Sequence, residues 1–444
     1  MEFGLIGMIT IFIAVSQSLV DSGFQQALIR KQDADNTDFS TVFYFNFALG
    51  LLFYIILFFS ARPISRFYDE VQLTEIIRVF GLVIVINSLA LIQRARLIKA
   101  INFKLQTKIS ILSSSISGAV GIYMAYNGYG VWSLVWRTVV NQLFQAVLLW
   151  LFNRWKPGLI FSLNSLKQMF SFGSKLLISG LLDTLYKNIN LLVIGKFFSA
   201  GELGFYSRAD QFQKLPSANI TATVQRVSYP VLTKVQDESA RLKEGYRKII
   251  NSTMFISFTS MLTLVAIAKP MILTLIGEKW LPSVTMLQLL CIAGMLSPLH
   301  AINLNMLKVK GRADLFLKLE IIKKVLAIPV IILGIIFGVT VMIAGMVFNS
   351  FLAYFLNSYY SGRLINYSVK EQIIDILPSF LIALSSGTVL FIPTLIFNSH
   401  FPLMLFIQII SGIVLIASLS ELTKNRAYLE VKKIVLEKFK IKKQ

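Results

Sequence analysis

The sequence contains little cysteine and histidine, and this scarcity excludes several kinds of site. Its single cysteine, Cys291, cannot form an intramolecular disulfide or a multi-cysteine metal centre. The two histidines, His300 and His400, lie 100 positions apart, and neither belongs to a metal-binding motif. The chain also lacks a Gly-x-x-x-x-Gly-Lys-Ser/Thr loop, a His-Glu-x-x-His pair and a Gly-x-Ser-x-Gly elbow. We therefore predict a protein that is not an enzyme and that needs no metal or cofactor.

Charged residues are also few, at 15% of the sequence, whereas hydrophobic residues make up 55% and the mean hydropathy is +0.69. Apolar runs of roughly 20 residues recur along the chain, and each is long enough to cross a bilayer as a helix. A soluble protein could not cover this much apolar surface. We therefore predict an all-α integral membrane protein. The 13 predicted transmembrane helices are 4–22, 41–61, 76–92, 109–127, 131–152, 174–198, 204–225, 249–268, 283–305, 324–338, 340–360, 376–397 and 401–420.

The positions of Lys and Arg predict how the chain is oriented in the membrane. These residues, 43 in all, outnumber the 22 Asp and Glu, and the net charge is +21. Most of them fall in alternate loops, among them 94–108, 154–175 and 226–248, and in the tail after Lys424. Cytoplasmic loops of membrane proteins carry such an excess. We therefore predict that these loops and the C-terminus are cytoplasmic, and we expect no nucleic-acid partner.

An internal repeat relates the two halves of the sequence. The Glu-Phe-Gly-Leu at 2–5 returns as Glu-Leu-Gly-Phe at 202–205, and Ala-Arg-Pro at 61–63 returns as Ala-Lys-Pro at 268–270. A duplicated hydrophobic chain is typical of membrane transporters. The second copy has an apolar helix, at roughly 172–198, before its Glu-x-Gly, whereas the first copy starts at the motif. We therefore expect that a first transmembrane helix is missing from the sequence.

The repeat and the predicted spans divide the chain into five parts. We predict an N-terminal lobe of five helices (1–152), a cytoplasmic linker (153–173), a C-terminal lobe of six helices (174–360), two additional helices (361–420) and a basic cytoplasmic tail (421–444). The tail mixes Lys and Arg with apolar residues. Its composition fits either an amphipathic helix on the inner leaflet or a solvated charged segment.

Charged side chains inside the predicted spans are the best candidates for a binding site. An ionisable group at membrane depth is costly unless it faces a partner or a wet cavity. Two polar helix faces meet this description, in spans 174–198 and 204–225, and span 131–152 adds one arginine. The candidate substrate-binding residues are Asp183, Lys187, Asn190, Arg208, Asp210, Gln211, Lys214 and Arg137.

These charges allow two interpretations. In the first, they form ion pairs that hold helices together, Asp183 with Lys187 and Asp210 with Arg208 or Lys214. In the second, they line a cavity for an anionic substrate, because cations outnumber anions on the two helices.

Four segments carry a resemblance to a known family. They are the Glu-Phe-Gly-Leu at 2–5, the Phe-Gln-Gln-Ala-Leu-Ile-Arg-Lys at 24–31, the Gly-Phe-Tyr-Ser-Arg-Ala at 204–209 and the Gln-Arg-Val-Ser-Tyr-Pro at 225–230. Together they resemble bacterial polysaccharide flippases of the Wzx type. This family forms part of the polysaccharide-transporter branch of the multidrug/oligosaccharidyl-lipid/polysaccharide (MOP) exporter superfamily.

The resemblance implies a fold and a function. It implies two helical lobes around a central cavity, with a first helix that this sequence lacks. The implied function is to flip undecaprenyl-pyrophosphate-linked oligosaccharide repeat units across the bacterial inner membrane by alternating access, for lipopolysaccharide, exopolysaccharide or capsule biosynthesis. A polysaccharide polymerase and a chain-length regulator are the implied protein partners. The cationic side chains would then bind the pyrophosphate.

Two alternative functions are weaker on this sequence. A drug or cation exporter of the same superfamily would be expected to bind cations with cavity carboxylates, but here Asp183 and Asp210 are outnumbered by bases. A multi-span polysaccharide polymerase or glycosyltransferase would be expected to have a large external loop with catalytic residues. The predicted external loops are too short to fold into such a domain.

Overall fold

The computed structural model describes residues 2–21, 24, 28, 34–100, 102–153, 155–233, 235–396 and 401–441. Within these ranges the chain forms α-helices and one short 3-10 helix (Glu278–Trp280), and no β-strand, so the predicted all-α fold is confirmed. The α-helices are α1 (Glu2–Asp21), α2 (Asn36–Tyr68), α3 (Leu73–Phe80), α4 (Leu82–Lys99), α5 (Phe103–Tyr126), α6 (Val131–Asn153), α7 (Leu163–Phe197), α8 (Ala200–Thr233), α9 (Ser239–Leu275), α10 (Ser283–Gly294), α11 (Ser297–Val309), α12 (Ala313–Phe337), α13 (Val339–Arg363), α14 (Val369–Ile396), α15 (Phe401–Leu422) and α16 (Arg426–Ile441).

Ten helical segments in the described ranges are long and apolar enough to cross a membrane, with α3–α4 and α10–α11 each acting as one segment. All 13 predicted spans coincide with helices, but those in α7, α8 and α12 are not among the ten. Helix α8 carries too many polar residues. In α12, the last 18 residues still contain Glu320, Lys323 and Lys324. In α7, the described apolar stretch is limited to Asn188–Phe197.

The helices form two compact units, Met1–Gly204 and Phe205–Gln444. In the first unit, α1 packs on α2 and α7, α2 packs on α4, and α6 packs on α4 and α5. The repeat assigns α7 to the second copy, yet its backbone lies against α1 and α2. A buried aromatic cluster supports one end of this unit, where Phe43 and Trp155 lie 6.1 Å apart between ring centroids.

The segment between α6 and α7 folds back onto the start of α2. The Trp155 indole donates to Asn36 Oδ1 at 2.7 Å, and the Gly158 and Ser162 amides donate to hydroxyls of Ser40 and Thr41 at 2.9 and 3.0 Å. The two amide bonds satisfy backbone donors that would otherwise be left unpaired in this loop. The residues up to Ser162 are thereby fixed, and α7 begins at Leu163.

The two copies of the repeated Glu-x-Gly motif contact each other. A Cβ added at Gly204 would lie 3.4 Å from the backbone nitrogen of Gly4, and a Cβ added at Gly4 would overlap the carbonyl oxygen of Ala200. The starts of α1 and α8 therefore approach so closely that only glycine fits at position 4. The repeat found in the sequence thus corresponds to a backbone contact in the first unit.

In the second unit, α9 is the central element and packs on α14, α10 and α15. The tail helix α16 also packs on α9. Phe255 and Tyr428 lie 5.8 Å apart between ring centroids, and Lys248 Nζ lies 3.6 Å from Glu430 Oε1. The tail is helical over Arg426–Ile441, and these contacts attach α16 to α9.

Candidate functional site

A polar cavity of about 790 Å³ lies in the first unit, among α1, α4, α5, α6 and α7. Each helix contributes residues from one face, at the i, i+3, i+4 and i+7 spacing that places side chains together. Helix α1 shows the pattern most fully. The lining residues are Ala14, Gln17, Ser18, Asp21, Asn87, Arg94, Gln106, Ile109, Ser110, Gln142, Gln145, Leu149, Thr184 and Asn188.

The charged groups of this cavity are Arg94 on α4 and Asp21 at the end of α1. An Arg94 Nη2–H donates to Gln145 Oε1 at 3.1 Å, and the guanidinium also interacts electrostatically with Asp21. The Oδ1 atom of Asp21 is buried and accepts no hydrogen bond from the residues that the structure describes. Because charges inside a membrane are costly unless they face a partner or a wet cavity, both groups indicate a hydrated polar site.

Amide side chains position the cation. Gln145 Nε2 donates to Asn141 Oδ1 at 3.4 Å, and Asn141 Nδ2 donates to the Ser117 hydroxyl of α5 at 3.1 Å. On the same helix, Gln142 Nε2 donates to Asn87 Oδ1 of α4 at 2.7 Å. These bonds tie α6 to both α4 and α5 and hold the acceptor that orients Arg94. The cavity therefore presents one fixed guanidinium, one carboxylate (Asp21) and several uncharged donors and acceptors, and the guanidinium and the uncharged groups suit an anion that carries hydroxyl groups.

The sequence prediction missed Arg94 because it placed this residue in a basic loop. In the structure α4 continues to Lys99, so Arg94 lies on a helix and points into the cavity. It also missed Asp21, which lies at the boundary of predicted span 4–22. A signal was present in the sequence, since residues 14, 17, 18 and 21 form one helical face.

The predicted residues of α8 lie in the second unit and form neighbouring pairs along the helix. Lys214 Nζ lies 2.6 Å from Asp210 Oδ2, and an Arg208 Nη1–H donates to Gln211 Oε1 at 2.6 Å. The Arg208 guanidinium also lies 5.8 Å from the centre of the Trp280 ring. The sequence left open whether Asp210 pairs with Arg208 or Lys214, and the structure places Lys214 on it.

Of the four remaining predicted residues, only Asn190 and Arg137 have described side chains, and neither is among the described residues that line the first-unit cavity. The side chains of Asp183 and Lys187 lie outside the described part of the structure. Asn190 is half-buried on α7, whose Thr184 and Asn188 line the cavity. Arg137 is exposed on α6, and its aliphatic stem covers Gly121 of α5, where an added Cβ would lie 3.1–3.2 Å from that stem.

The comparisons with known proteins agree with this architecture. The fold is similar to that of the lipid II flippase MurJ in its inward closed conformation, with a TM-score of 0.75 over 95% of this chain and 92% of MurJ. At 14% sequence identity, this likeness shows the fold alone.

Sequence relatives come from polysaccharide biosynthesis. The teichuronic acid biosynthesis protein TuaB of Bacillus subtilis (strain 168) is 32% identical over 302 residues, which cover 68% of this chain and 62% of TuaB. The lipopolysaccharide biosynthesis protein WzxC of Escherichia coli (strain K12) is 26% identical over 339 residues, which cover 75% of this chain and 68% of WzxC. The match thus spans less than two thirds of TuaB.

The family assignment rests on a match over more than half of the chain. A family model described as "Polysaccharide biosynthesis protein" matches residues 1–285. This match, the relatives and the fold agree with the resemblance identified in the sequence. The protein is therefore a multi-pass membrane protein, and it belongs to the polysaccharide biosynthesis protein family.

Proposed function

We propose that this protein flips lipid-linked oligosaccharide repeat units across the bacterial inner membrane, with undecaprenyl pyrophosphate as the lipid carrier. The observation that carries the proposal is the polar cavity of the first unit, in which Arg94 is the cation and the other polar lining residues, except Asp21, are uncharged amides and hydroxyls. Membership of a polysaccharide biosynthesis family supports the sugar part of the substrate. The name of the relative WzxC adds lipopolysaccharide as one product class.

The chemistry of the cavity fits such a substrate. A pyrophosphate carries two or more negative charges and loses hydration when it enters a membrane. A guanidinium replaces part of that hydration through two parallel N–H donors, which match two phosphate oxygens. The surrounding amides, such as Gln17, Asn87 and Gln142, can exchange hydrogen bonds with sugar hydroxyls. The prenyl chain would remain in lipid.

The candidates on α8 are the second unit's contribution in this proposal. Arg208 and Lys214 would add positive charge toward the pyrophosphate, and Gln211 would contact hydroxyl groups. Asp210 would hold Lys214 in place between transport cycles. Transport would follow alternating access of two lobes, and the basic loops and C-terminus would be cytoplasmic. A polysaccharide polymerase and a chain-length regulator are the proposed protein partners.

Replacement of Arg94 tests the proposal. A polysaccharide-producing bacterium without its own flippase would carry this protein as the wild type, as Arg94→Gln, or as the control Lys104→Gln. Lys104 is an exposed cation near the start of α5 that does not line the cavity. We expect Arg94→Gln to reduce surface polymer on the order of tenfold to a hundredfold, since a hydrogen bond to a charged group contributes roughly 1.5–3 kcal/mol. Lipid-linked repeat units should accumulate on the cytoplasmic leaflet.

The outcome separates the competing functions. Loss of export by Arg94→Gln at normal protein abundance, with normal export by Lys104→Gln, supports the proposal. Normal export by Arg94→Gln would contradict the role of the cavity. If the wild type itself restored no polymer but lowered the accumulation of cationic drugs in the cell, a drug exporter would replace the flippase as the function.

A further inference from the structure

A second cavity, of about 700 Å³, lies in the second unit and shares no residue with the first. It forms where α9, the first half of α14, the end of α15 and the start of α16 meet. Its lining is divided into a charged rim and an apolar wall. The rim comprises Arg247, Asp375, Lys424 and Arg426, and the wall comprises Ile374, Leu377, Pro378, Leu381, Ile382 and Leu419.

The rim carries an excess of positive charge. Arg247 forms an ion pair with Asp375, whose other oxygen accepts a hydrogen bond from the Tyr367 hydroxyl at 2.5 Å. This carboxylate therefore already has its partners. Lys424 and Arg426 are exposed, and neither forms an ion pair with a carboxylate in the described ranges. The rim thus keeps two uncompensated cations at the turn between α15 and α16.

The turn that carries these two cations is fixed. Between them, Asn425 is buried, and its Oδ1 accepts a hydrogen bond from the Tyr428 amide at 3.0 Å, which caps the start of α16. Its Nδ2 lies 3.5 Å from the Ser379 hydroxyl of α14, within hydrogen-bond reach. Lys424 and Arg426 are therefore held at the mouth of the cavity rather than on a free tail.

The apolar wall has the length of one lipid leaflet. Ile374, Leu377, Leu381 and Ser385 lie along one face of α14, and the first three are 56%, 43% and 53% exposed. From Ile374 to Ser385 the helix rises roughly 16 Å at 1.5 Å per residue. Half of a bilayer's hydrocarbon core is about 15 Å thick. An acyl chain that starts at the rim would therefore be covered by this wall along its depth in the membrane.

One polar atom of the cavity has no hydrogen-bond partner among the described residues. Asn251 of α9 lines the cavity, and its Oδ1 is buried without such a partner there. A buried amide oxygen left unpaired is costly, and a ligand hydroxyl that donates to it would remove this cost. The cavity therefore presents cations at its rim, an acceptor within it and an apolar wall below.

We propose that this cavity binds an anionic phospholipid of the surrounding bilayer. Its phosphate would lie at Lys424 and Arg426, a headgroup hydroxyl would donate to Asn251, and an acyl chain would lie along the exposed face of α14. The bound lipid would join α16 to α14 and α15. This role is separate from the transported substrate, which the proposed function places at the first-unit cavity.

The test measures lipid binding to purified full-length protein in detergent, so it does not depend on transport. Native mass spectrometry would record binding of phosphatidylglycerol and of zwitterionic phosphatidylcholine. The test variant is Lys424→Gln/Arg426→Gln. The control is Lys370→Gln/Lys433→Gln, which removes the same charge from two exposed cations outside the cavity. We expect the test variant to bind phosphatidylglycerol roughly thirtyfold more weakly, because each of the two cations near an anionic lipid contributes roughly 1 kcal/mol.

A second variant tests the apolar wall without a change of charge. Ser385→Phe places a ring at the deep end of the cavity and should weaken phosphatidylglycerol binding while the thermal unfolding temperature of the lipid-free protein is retained. Three outcomes would overturn the proposal. They are equal binding by test and control variants, equal binding of phosphatidylcholine and phosphatidylglycerol to the wild type, or displacement of phosphatidylglycerol by an undecaprenyl-pyrophosphate lipid, which would assign the cavity to the substrate.

Discussion

The ion pair between Lys214 and Asp210 can decide between the two interpretations of the charges on α8. Three variants are needed: Lys214→Gln, Asp210→Asn and the double variant. Each replaces a charged group with a neutral one of similar size, so packing changes little. Each variant is followed in two ways, by thermal unfolding in detergent and by export of surface polymer in a flippase-deficient bacterium.

The structure sets the expected cost of each change. Lys214 Nζ lies 2.6 Å from Asp210 Oδ2, and the two side chains are 56% and 17% exposed. A fully buried pair costs about 3–5 kcal/mol when one partner is removed, whereas an exposed pair contributes about 0–1 kcal/mol. Because Asp210 is largely buried, Lys214→Gln should cost about 1–3 kcal/mol. Asp210→Asn should cost less than about 1 kcal/mol, since Lys214 can still reach water.

A second pair on the chain serves as a control for the double-variant comparison. Arg241 and Glu238 form an ion pair at 2.9 Å with side chains 72% and 52% exposed. Its coupling energy should not exceed about 0.5 kcal/mol. The coupling energy of Lys214 and Asp210 should be larger, at about 1 kcal/mol or more. Lys214→Gln alone leaves a partly buried carboxylate unpaired, whereas the double variant also removes the charge of that carboxylate and so avoids this cost.

The export measurement then distinguishes a structural role of Lys214 from a role in substrate binding. If Lys214 contacts the pyrophosphate, the double variant should regain stability but not export, because the positive charge is still missing. If Lys214 only neutralises Asp210, the double variant should regain both. Restored export in the double variant would therefore refute the proposed substrate contact of Lys214.

Two further predictions concern packing and orientation. Gly4→Ala should lower protein abundance or the unfolding temperature strongly, because an added Cβ has no room against Ala200. Gly118→Ala should be neutral or slightly stabilising, because no described atom beyond its own stretch of helix lies within 4 Å of the added Cβ. Equal effects would contradict the close contact of the repeated motifs. In a Cys291→Ser background, a cysteine at Asn127 should react with an impermeant maleimide added from outside, and one at Gln236 should not; the opposite pattern would reverse the predicted topology.

The sequence predicted the fold well because its main signals are local. Each apolar run of about 20 residues forms a helix in a membrane, because only a helix lets a single span make all of its backbone hydrogen bonds internally. The repeat predicted that the two Glu-x-Gly motifs are equivalent. It could not predict that Gly4 and Gly204 touch, because that contact depends on how the starts of α1 and α8 are placed in three dimensions.

The cavity was harder to predict because a cation near a membrane boundary can belong either to a cytoplasmic loop or to a binding site. Arg94 lies within a few residues of Arg96 and Lys99, and such a cluster is typical of a cytoplasmic loop. In the structure these cations share one helix but have different surroundings. Arg96 lies 5.4 Å from the Trp155 ring, whereas Arg94 donates to Gln145 inside the cavity. What distinguishes Arg94 from Arg96 is which face of α4 is turned toward α6, and the sequence alone does not determine this.

The interaction partners of Arg94 and Lys214 predict which of the two cations contributes more to pyrophosphate binding. Arg94 donates a hydrogen bond to the neutral side-chain amide of Gln145, and its guanidinium also interacts electrostatically with Asp21. Lys214 lies against the carboxylate of Asp210, which compensates its charge locally. An arriving pyrophosphate must therefore displace a directly bonded carboxylate from Lys214, whereas the group hydrogen-bonded to Arg94 is an amide oxygen. Arg94→Gln should therefore reduce export more than Lys214→Gln does at equal protein abundance, and the reverse order would indicate that the substrate's charge is bound mainly by α8.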